Sequence, residues 1–236
     1  MSTLRIVGPG RAGSSLADAL AGAGWDVAAP VTRHDDPSGA ARDVDLCVIA
    51  TPDALIAAVA AAIDPVPSTV VAHLAGSLGL DVLAPHTRRA AMHPLASLPD
   101  RVTGARTLRD GAWWALEGDA LAAEAVAALG GRTVAVTAAS RAAYHAAACV
   151  AANHLVTLMA QVERLAAAAD LPADPFYDLA AGALANARDH GAAAALTGPA
   201  ARGDRATIDR HLDGMDTAEH DLYLALAGAA GVLACR

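Results

Sequence analysis

The sequence predicts an α/β fold, a doubly wound parallel sheet, followed by an all-helical C-terminal domain. Three observations carry this reading. Short apolar runs alternate with helical stretches up to about residue 137, a glycine-rich turn closes the first run and opens the first helix, and from residue 140 onward no strand signal recurs.

Taken in order, residues 4–7 form an apolar strand closed by Gly8, and 14–23 place Leu16, Ala19, Leu20 and Ala23 at helical spacing. Residues 27–32, 45–51 and 69–74 repeat the continuous apolar run of parallel strands buried on both faces, and Pro52 leads the middle one into a helix-compatible stretch at 54–63. Two further strands, 112–116 and 133–136, flank a helix at 119–129. Ser140 is the expected N-cap of a helix reaching about residue 169, some ~45 Å long, which Asp170-Leu171-Pro172 stops. Helices at 174–190, 205–212 and 217–226 follow. The expected domains are therefore 1–138, holding the sheet, and 139–236, helical, with the long lead helix as the spine of that domain or of a homodimer.

Composition narrows the chemistry. Hydrophobic residues make up 55% of the 236, yet only three Trp, three Tyr and one Phe are present and alanine exceeds a quarter, so the interior must pack small side chains closely. All 17 basic residues are arginine, which excludes a lysine Schiff base, a phosphate-loop lysine and a lysine general acid. Anions are left to arginine, backbone N–H groups and nine histidines. A net charge of −8 without a basic stripe argues against nucleic acid. Three scattered cysteines, Cys47, Cys149 and Cys235, with no charged-then-apolar leader pattern, fit a reduced, cytoplasmic setting. The charge-free stretch 142–162 is rich in alanine and holds Tyr144, His145, Asn153, His154 and Gln161, so it reads as a buried soluble helix and no membrane contact is expected.

Gly8-Pro9-Gly10-Arg11-Ala12-Gly13 satisfies G-x-G-x-x-G between a strand and a helix, the dinucleotide fingerprint of a Rossmann-type domain. The first glycine permits the turn, the second lets backbone approach a pyrophosphate, the third allows close helix-to-strand packing, and the helix N-terminus adds positive potential. An acidic residue at the end of the second strand would mark NAD; Thr32-Arg33-His34 stands there instead, and a hydroxyl with a planar cation suits the 2′-phosphate of NADP. The alternative keeps Asp35 or Asp36 on a ribose and Arg33 in solvent. Thr51 and Pro52, ending the third strong strand, fall where the inner ribose and pyrophosphate bind. His73-Leu74-Ala75-Gly76-Ser77 and Met92-His93-Pro94-Leu95 each follow an apolar run, so Thr51, His73, Ser77 and His93 share one rim; taken singly, each histidine is as well explained by bonds to loop carbonyls.

On the long helix His145, Cys149 and Asn153 are spaced i, i+4, i+8, a polar line on an alanine surface, with Tyr144 beside it. The plainer reading has His145 and Asn153 bridging helices and Cys149 filling space. No third and fourth ligand at zinc spacing accompany His145 and Cys149, so no metal is expected. In the turn-rich 196–204, Thr197 offers a hydroxyl and Arg202 a cation for a substrate carboxylate, unless Arg202 pairs with Asp204 capping the next helix.

Together these motifs, GPGRAG, His73 to Ser77, Met92 to Leu95, Tyr144-His145 through Asn153, and Leu196-Thr197-Gly198-Pro199 through Arg202-Gly203-Asp204, resemble over nearly the whole chain a Rossmann-like family known as domain of unknown function 2520. It lies within the superfamily of 6-phosphogluconate dehydrogenase, ketopantoate reductase and pyrroline-5-carboxylate reductase. The resemblance implies an NADP-binding domain, a helical domain that often dimerises, and an oxidoreductase acting on a small molecule. Superfamily relatives use a lysine and, four residues later, an asparagine on the long helix. Asn153 matches the asparagine as orienter, but Cys149 stands at the lysine position, and His145, one turn back, is the candidate replacement as proton donor. The expected activity is hydride transfer between NADP and a small carbonyl or imine, a 2-oxo acid such as ketopantoate being the example the superfamily offers, with Ser77 and His93 at the nicotinamide end. The missing lysine leaves the alternative of a non-catalytic NADP-binding regulator.

Overall fold

The structure, a computed structural model, describes residues 1–235. Its strands are β1 (Thr3–Val7), β2 (Asp26–Val27), β3 (Leu46–Ile49), β4 (Val70–His73), β5 (Arg89–Pro94), β6 (Trp113–Gly118) and β7 (Arg132–Ala135), in the order β2-β1-β3-β4-β5-β6-β7. β1 to β5 are mutually parallel; β6 runs antiparallel to β5 and β7 parallel to β6. The sheet is thus Rossmann-like and mostly parallel. The chain leaves β1 in one direction for β2 and returns past it to β3, so the order reverses between β1 and β3, the place where such sheets open a ligand crevice.

Side chains alternate between two apolar layers, as the twofold period of a strand requires. Leu4, Ile6, Leu46, Val48, Val70 and Ala72 pack on one face with Leu16 and Leu20 of α1 (Arg11–Gly22), Leu108 of α3 (Arg101–Arg109) and Val126 of α4 (Ala120–Ala128). Val7, Cys47, Ile49 and Val71 pack on the other with Ile56 and Ala60 of α2 (Asp53–Ala62). Burial pushes the Cys47 thiol up to about 12, which makes it an inert filler.

The described chain divides into two compact units, Met1–Ala152 and the residues from Asn153 on. The first ends in α5 (Arg141–Cys149); a π-helical turn, Val150–His154, crosses the division. The second contains α6 (Leu155–Ala168), α7 (Asp174–His190), α8 (Ala192–Ala195), α9 (Arg205–Asp213) and α10 (His220–Ala234). Arg164 and Gln161 of α6 tie down Glu219, through its carboxylate and its carbonyl respectively. No helix among the described residues is long and apolar enough to cross a membrane.

Several expectations need correction. The second strand is only two residues long, with a single further bridge from Val31 to Val7, because Pro30 has no N–H to give the ladder. Met92, His93 and Pro94 lie inside β5, not after it. α3 was not foreseen: it buries only Gly104 and Leu108, too few for an apolar period, although Asp100 caps it through the Val102 and Thr103 amides. Ser140 precedes α5 but does not cap it; its hydroxyl bonds to Thr137 instead. The expected single helix to residue 169 is interrupted by the π turn. Nor is the stretch 142–162 buried: apart from Gln161 it is half-buried or exposed.

Candidate active site

At the order reversal, each glycine of the turn does a separate job. Gly8 has φ +90°, and a Cβ there would lie 2.9 Å from Thr51 Cγ2 and 3.1 Å from the Thr51 nitrogen, so this turn excludes other residues. Gly13 lets α1 press on the sheet: a Cβ there would lie 2.6 Å from the Gly8 carbonyl oxygen and 2.8 Å from Ile6 Cγ2. A Cβ on Gly10 would meet nothing within 4 Å. That leaves room for a ligand against the N-terminus of α1, whose first turn has no side-chain cap and no acidic residue. Next to Gly8 the Thr51 hydroxyl is buried with no hydrogen-bond partner among the described residues. Pro52 starts α2 with its carbonyl accepting from Leu55.

The Gly8 amide donates to the Val31 carbonyl at 2.9 Å, which puts Thr32 and Arg33 directly beyond β1. The Thr32 hydroxyl and amide both donate to Asp35 Oδ2, at 2.7 and 2.8 Å, and hold that carboxyl below the usual carboxylate range. Thr32 is therefore committed to Asp35 and is not the free donor the sequence suggested. Arg33, exposed, donates from Nε to His34 Nε2 at 3.1 Å, and both its terminal nitrogens are without partners among the described residues.

Further along the rim two histidines that look equivalent in sequence separate. His73 is fully buried at the end of β4; its Nδ1 accepts from the Ala75 amide at 3.2 Å and its Nε2 donates to the Gly79 carbonyl at 3.1 Å. Both ring nitrogens serve the loop backbone, and burial lowers its pKa and keeps it neutral. His73 is structural. His93 Nδ1 instead pairs with the Tyr144 hydroxyl of α5 at 2.5 Å, and the His145 ring crosses it edge-on with centroids 6.0 Å apart. Gly76 makes this approach possible, since a Cβ there would lie 2.7 Å from His145 Cδ2 and 2.9 Å from His93 Cε1. Burial, reinforced by the charge of His145, lowers the His93 pKa to about 4, so the ring is neutral at physiological pH. Ser77, one residue on, donates to Asp53 Oδ2 at 2.9 Å.

The face that α5 turns to this cluster reads Arg141, Tyr144, His145, Ala148, Cys149, all buried or half-buried, while Ala142, Ala143, Ala146 and Ala147 are exposed. Cys149 Sγ is 3.8 Å from His145 Nε2. Arg141, missed in the sequence, is ion-paired to Glu117 of β6 with its side chain 7% exposed, and its Nε has no partner. Breaking such a buried pair costs ~3–5 kcal/mol. The exposed Arg42–Asp64 bridge, at 61% and 55% exposure, is the kind that contributes about 0–1 kcal/mol. Arg141–Glu117 therefore fixes α5 to the sheet; its sequence signal was the i, i+3, i+4 spacing with Tyr144 and His145.

Residues 114–230 match the family model described as Domain of unknown function (DUF2520). The matched segment is just under half of the chain. It supplies Glu117, Arg141, Tyr144 and His145 to the cluster, while the glycine turn, Gly76 and His93 precede it. Among solved structures the whole fold is similar to a Bacteroides fragilis protein provisionally described as an NADP oxidoreductase, with 18% identity, TM-score 0.80 and 98% of each chain covered. A Thermotoga maritima protein matches with 20% identity, TM-score 0.71 and 98% of each chain covered. A reductive aminase from Aspergillus terreus, solved with NADPH and ethyl levulinate, matches with 16% identity and TM-score 0.71 over 98% of this chain and 92% of its own. At these identities the likeness establishes the fold. A comparison with curated proteins gave no match.

The DUF2520 segment also holds Asn153, Thr197 and Arg202, all exposed and all in the second unit. Asp204 caps α9 by accepting from the Thr207 amide at 3.0 Å, and no salt bridge joins it to Arg202 among the described residues. The first unit thus assembles Gly8 to Gly13, Thr51, Gly76, Ser77, His93, Tyr144 and His145 from its own residues. Among the described residues no three His, Cys, Asp or Glu side chains form a metal-binding group.

Proposed function

We propose that this protein is an NADP-dependent oxidoreductase that transfers a hydride between nicotinamide and a small carbonyl or imine, acting in the cytoplasm. The observation that supports it most directly is the open Gly10 before the uncapped N-terminus of α1, at the order reversal between β1 and β3. The fold-level neighbours, two of which are described with NADP or NADPH, point the same way. Amides of the Gly8 to Gly13 turn and the Thr51 hydroxyl would hold the pyrophosphate and inner ribose, and Arg33 the 2′-phosphate. When bound, the cofactor supplies or accepts the hydride. This chain supplies the proton, and His145 is the donor, a role no lysine can fill here. Small 2-oxo acids, ketopantoate among them, and cyclic imines are the substrates to assay first by NADPH oxidation; binding without turnover on any of them would favour the regulator.

Replacing Arg33 with Asp is expected to weaken NADPH binding by about tenfold to a hundredfold, the value of a charged hydrogen bond, and NADH binding far less. Titration of both cofactors by fluorescence checks this. Equal losses would move the adenosine ribose to Asp35.

We also infer that the second unit pairs with a second copy. Val156, Leu179, Leu184 and Val232 are 70%, 68%, 64% and 61% exposed, and Leu155, Val156, Met159, Tyr177 and Leu184 line an apolar groove of about 400 Å³ between α6 and α7. An exposed groove lined by large apolar side chains is the kind of surface that soluble chains cover with a partner. Sedimentation should show a dimer that Val156→Asp dissociates; a monomer at micromolar concentration would refute the pairing.

A further inference from the structure

His93 and Tyr144 lie 51 positions apart in sequence and meet through one hydrogen bond, and how that bond is polarised decides what His93 can do. A phenol O–H is a much stronger acid than a neutral imidazole N–H, and an imine-type ring nitrogen is a much stronger base than a phenol oxygen. The matched arrangement is therefore O–H donating to Nδ1. Burial raises the Tyr144 pKa, which keeps that proton on the oxygen, and the hydroxyl has no other protein partner among the described residues. With Nδ1 occupied as acceptor, the single ring proton of a neutral His93 must sit on Nε2. That nitrogen, at the carboxyl-end half of β5, makes no hydrogen bond to any described residue and is not sealed from solvent.

We propose that Tyr144 is a positioning residue that locks His93 in the Nε2–H tautomer, and that His93 is thereby a catalytic hydrogen-bond donor to the substrate carbonyl oxygen that receives its proton from His145. The identity of that acceptor rests on the oxidoreductase reading above; the lock does not. The groups that act on His93 are consistent with a donor that never ionises. His145 and Arg141 of α5 and His73 of β4 bring positive or potentially positive charge, and Asp53 of α2 alone opposes them. A neutral imidazole donor gives up no proton, and a carbonyl oxygen has two lone pairs, so His93 can polarise it through one while the acid beside it protonates the other.

Histidine-selective ¹⁵N NMR on the full chain tests the lock without substrate or cofactor, the His93 signals being assigned by their loss in His93→Gln. The expected result is a pyridine-type Nδ1 and a pyrrole-type Nε2 that stay constant from about pH 5.5 to 8, and a mixture of tautomers in Tyr144→Phe. An Nδ1–H tautomer, titration within that range, or an unchanged tautomer in Tyr144→Phe would overturn the proposal. In turnover, His93→Ala should lose about a hundredfold in kcat, whereas His93→Gln, whose amide keeps a donor near Nε2, should stay within about tenfold of the parent. Equal losses in both variants would mean that His93 transfers a proton, contrary to the proposal. A locked tautomer in a protein that oxidises NADPH with no carbonyl or imine would instead overturn the oxidoreductase reading and the donor role, and leave the lock standing.

Discussion

Substituting His145 with alanine is expected to lower kcat by about a hundredfold or more and to leave NADPH affinity nearly unchanged. The expectation follows from position. His145 lies on α5, packed against Gly76 and 6.0 Å from His93 between ring centroids, and no residue of the glycine turn hydrogen-bonds to it. The chain has no lysine that could take over proton supply. Cys149, 3.8 Å away, is a weak partner that cannot replace a cationic donor at neutral pH. Single-turnover absorbance at saturating NADPH separates the chemical step from binding, and a cofactor titration on the same variant supplies the control. Near-normal turnover would remove His145 from the chemistry and leave the cluster as packing. A matched loss in cofactor affinity would place His145 in the cofactor site instead.

The pattern of success in reading the sequence has a physical cause. The glycine turn was legible residue by residue because its constraints are local: Gly8 needs φ +90°, Gly13 abuts the turn's own carbonyl, and Gly10 stays open. The helix expected at about 174–190 is found at Asp174–His190, bounded by Pro172 before and by Gly191 after, with φ +85° at Gly191. What could not be read was anything decided by a distant partner. His73 and His93 both sit at strand ends, and only the fold shows that Gly79 and Ala75 satisfy the first while Tyr144 claims the second. A local partner can be missed too: Thr32 reads as a free phosphate donor, but Asp35, three residues on, takes both its hydroxyl and its amide. Alanine-rich composition from 142 to 162 suggested burial, but composition reports helix preference and not whether anything covers the helix.

Two alanine substitutions should divide binding from chemistry. In Gly76→Ala the new methyl would lie 2.7 Å from His145 Cδ2, 2.9 Å from His93 Cε1 and 3.0 Å from His93 Nδ1, so at least one ring must move. His93 is held by Tyr144 and its ring is half-buried, which leaves it little freedom to yield without breaking that bond. Misplacement of a catalytic group by ~1 Å costs about a hundredfold, so kcat should fall by that order with NADPH affinity within about twofold. In Gly10→Ala the methyl meets nothing within 4 Å and the backbone, at φ −73° and ψ −166°, accepts alanine. The fold should therefore keep its melting temperature. The methyl instead occupies the space left for a pyrophosphate, so the loss should appear as about a tenfold or greater rise in the NADPH Kd. Calorimetric titration and steady-state kinetics on the two variants provide the check. If both lose affinity alike, the space before α1 and the histidine cluster form one site with a single function; if Gly10→Ala binds NADPH normally, the open ground at Gly10 is not where the cofactor lies.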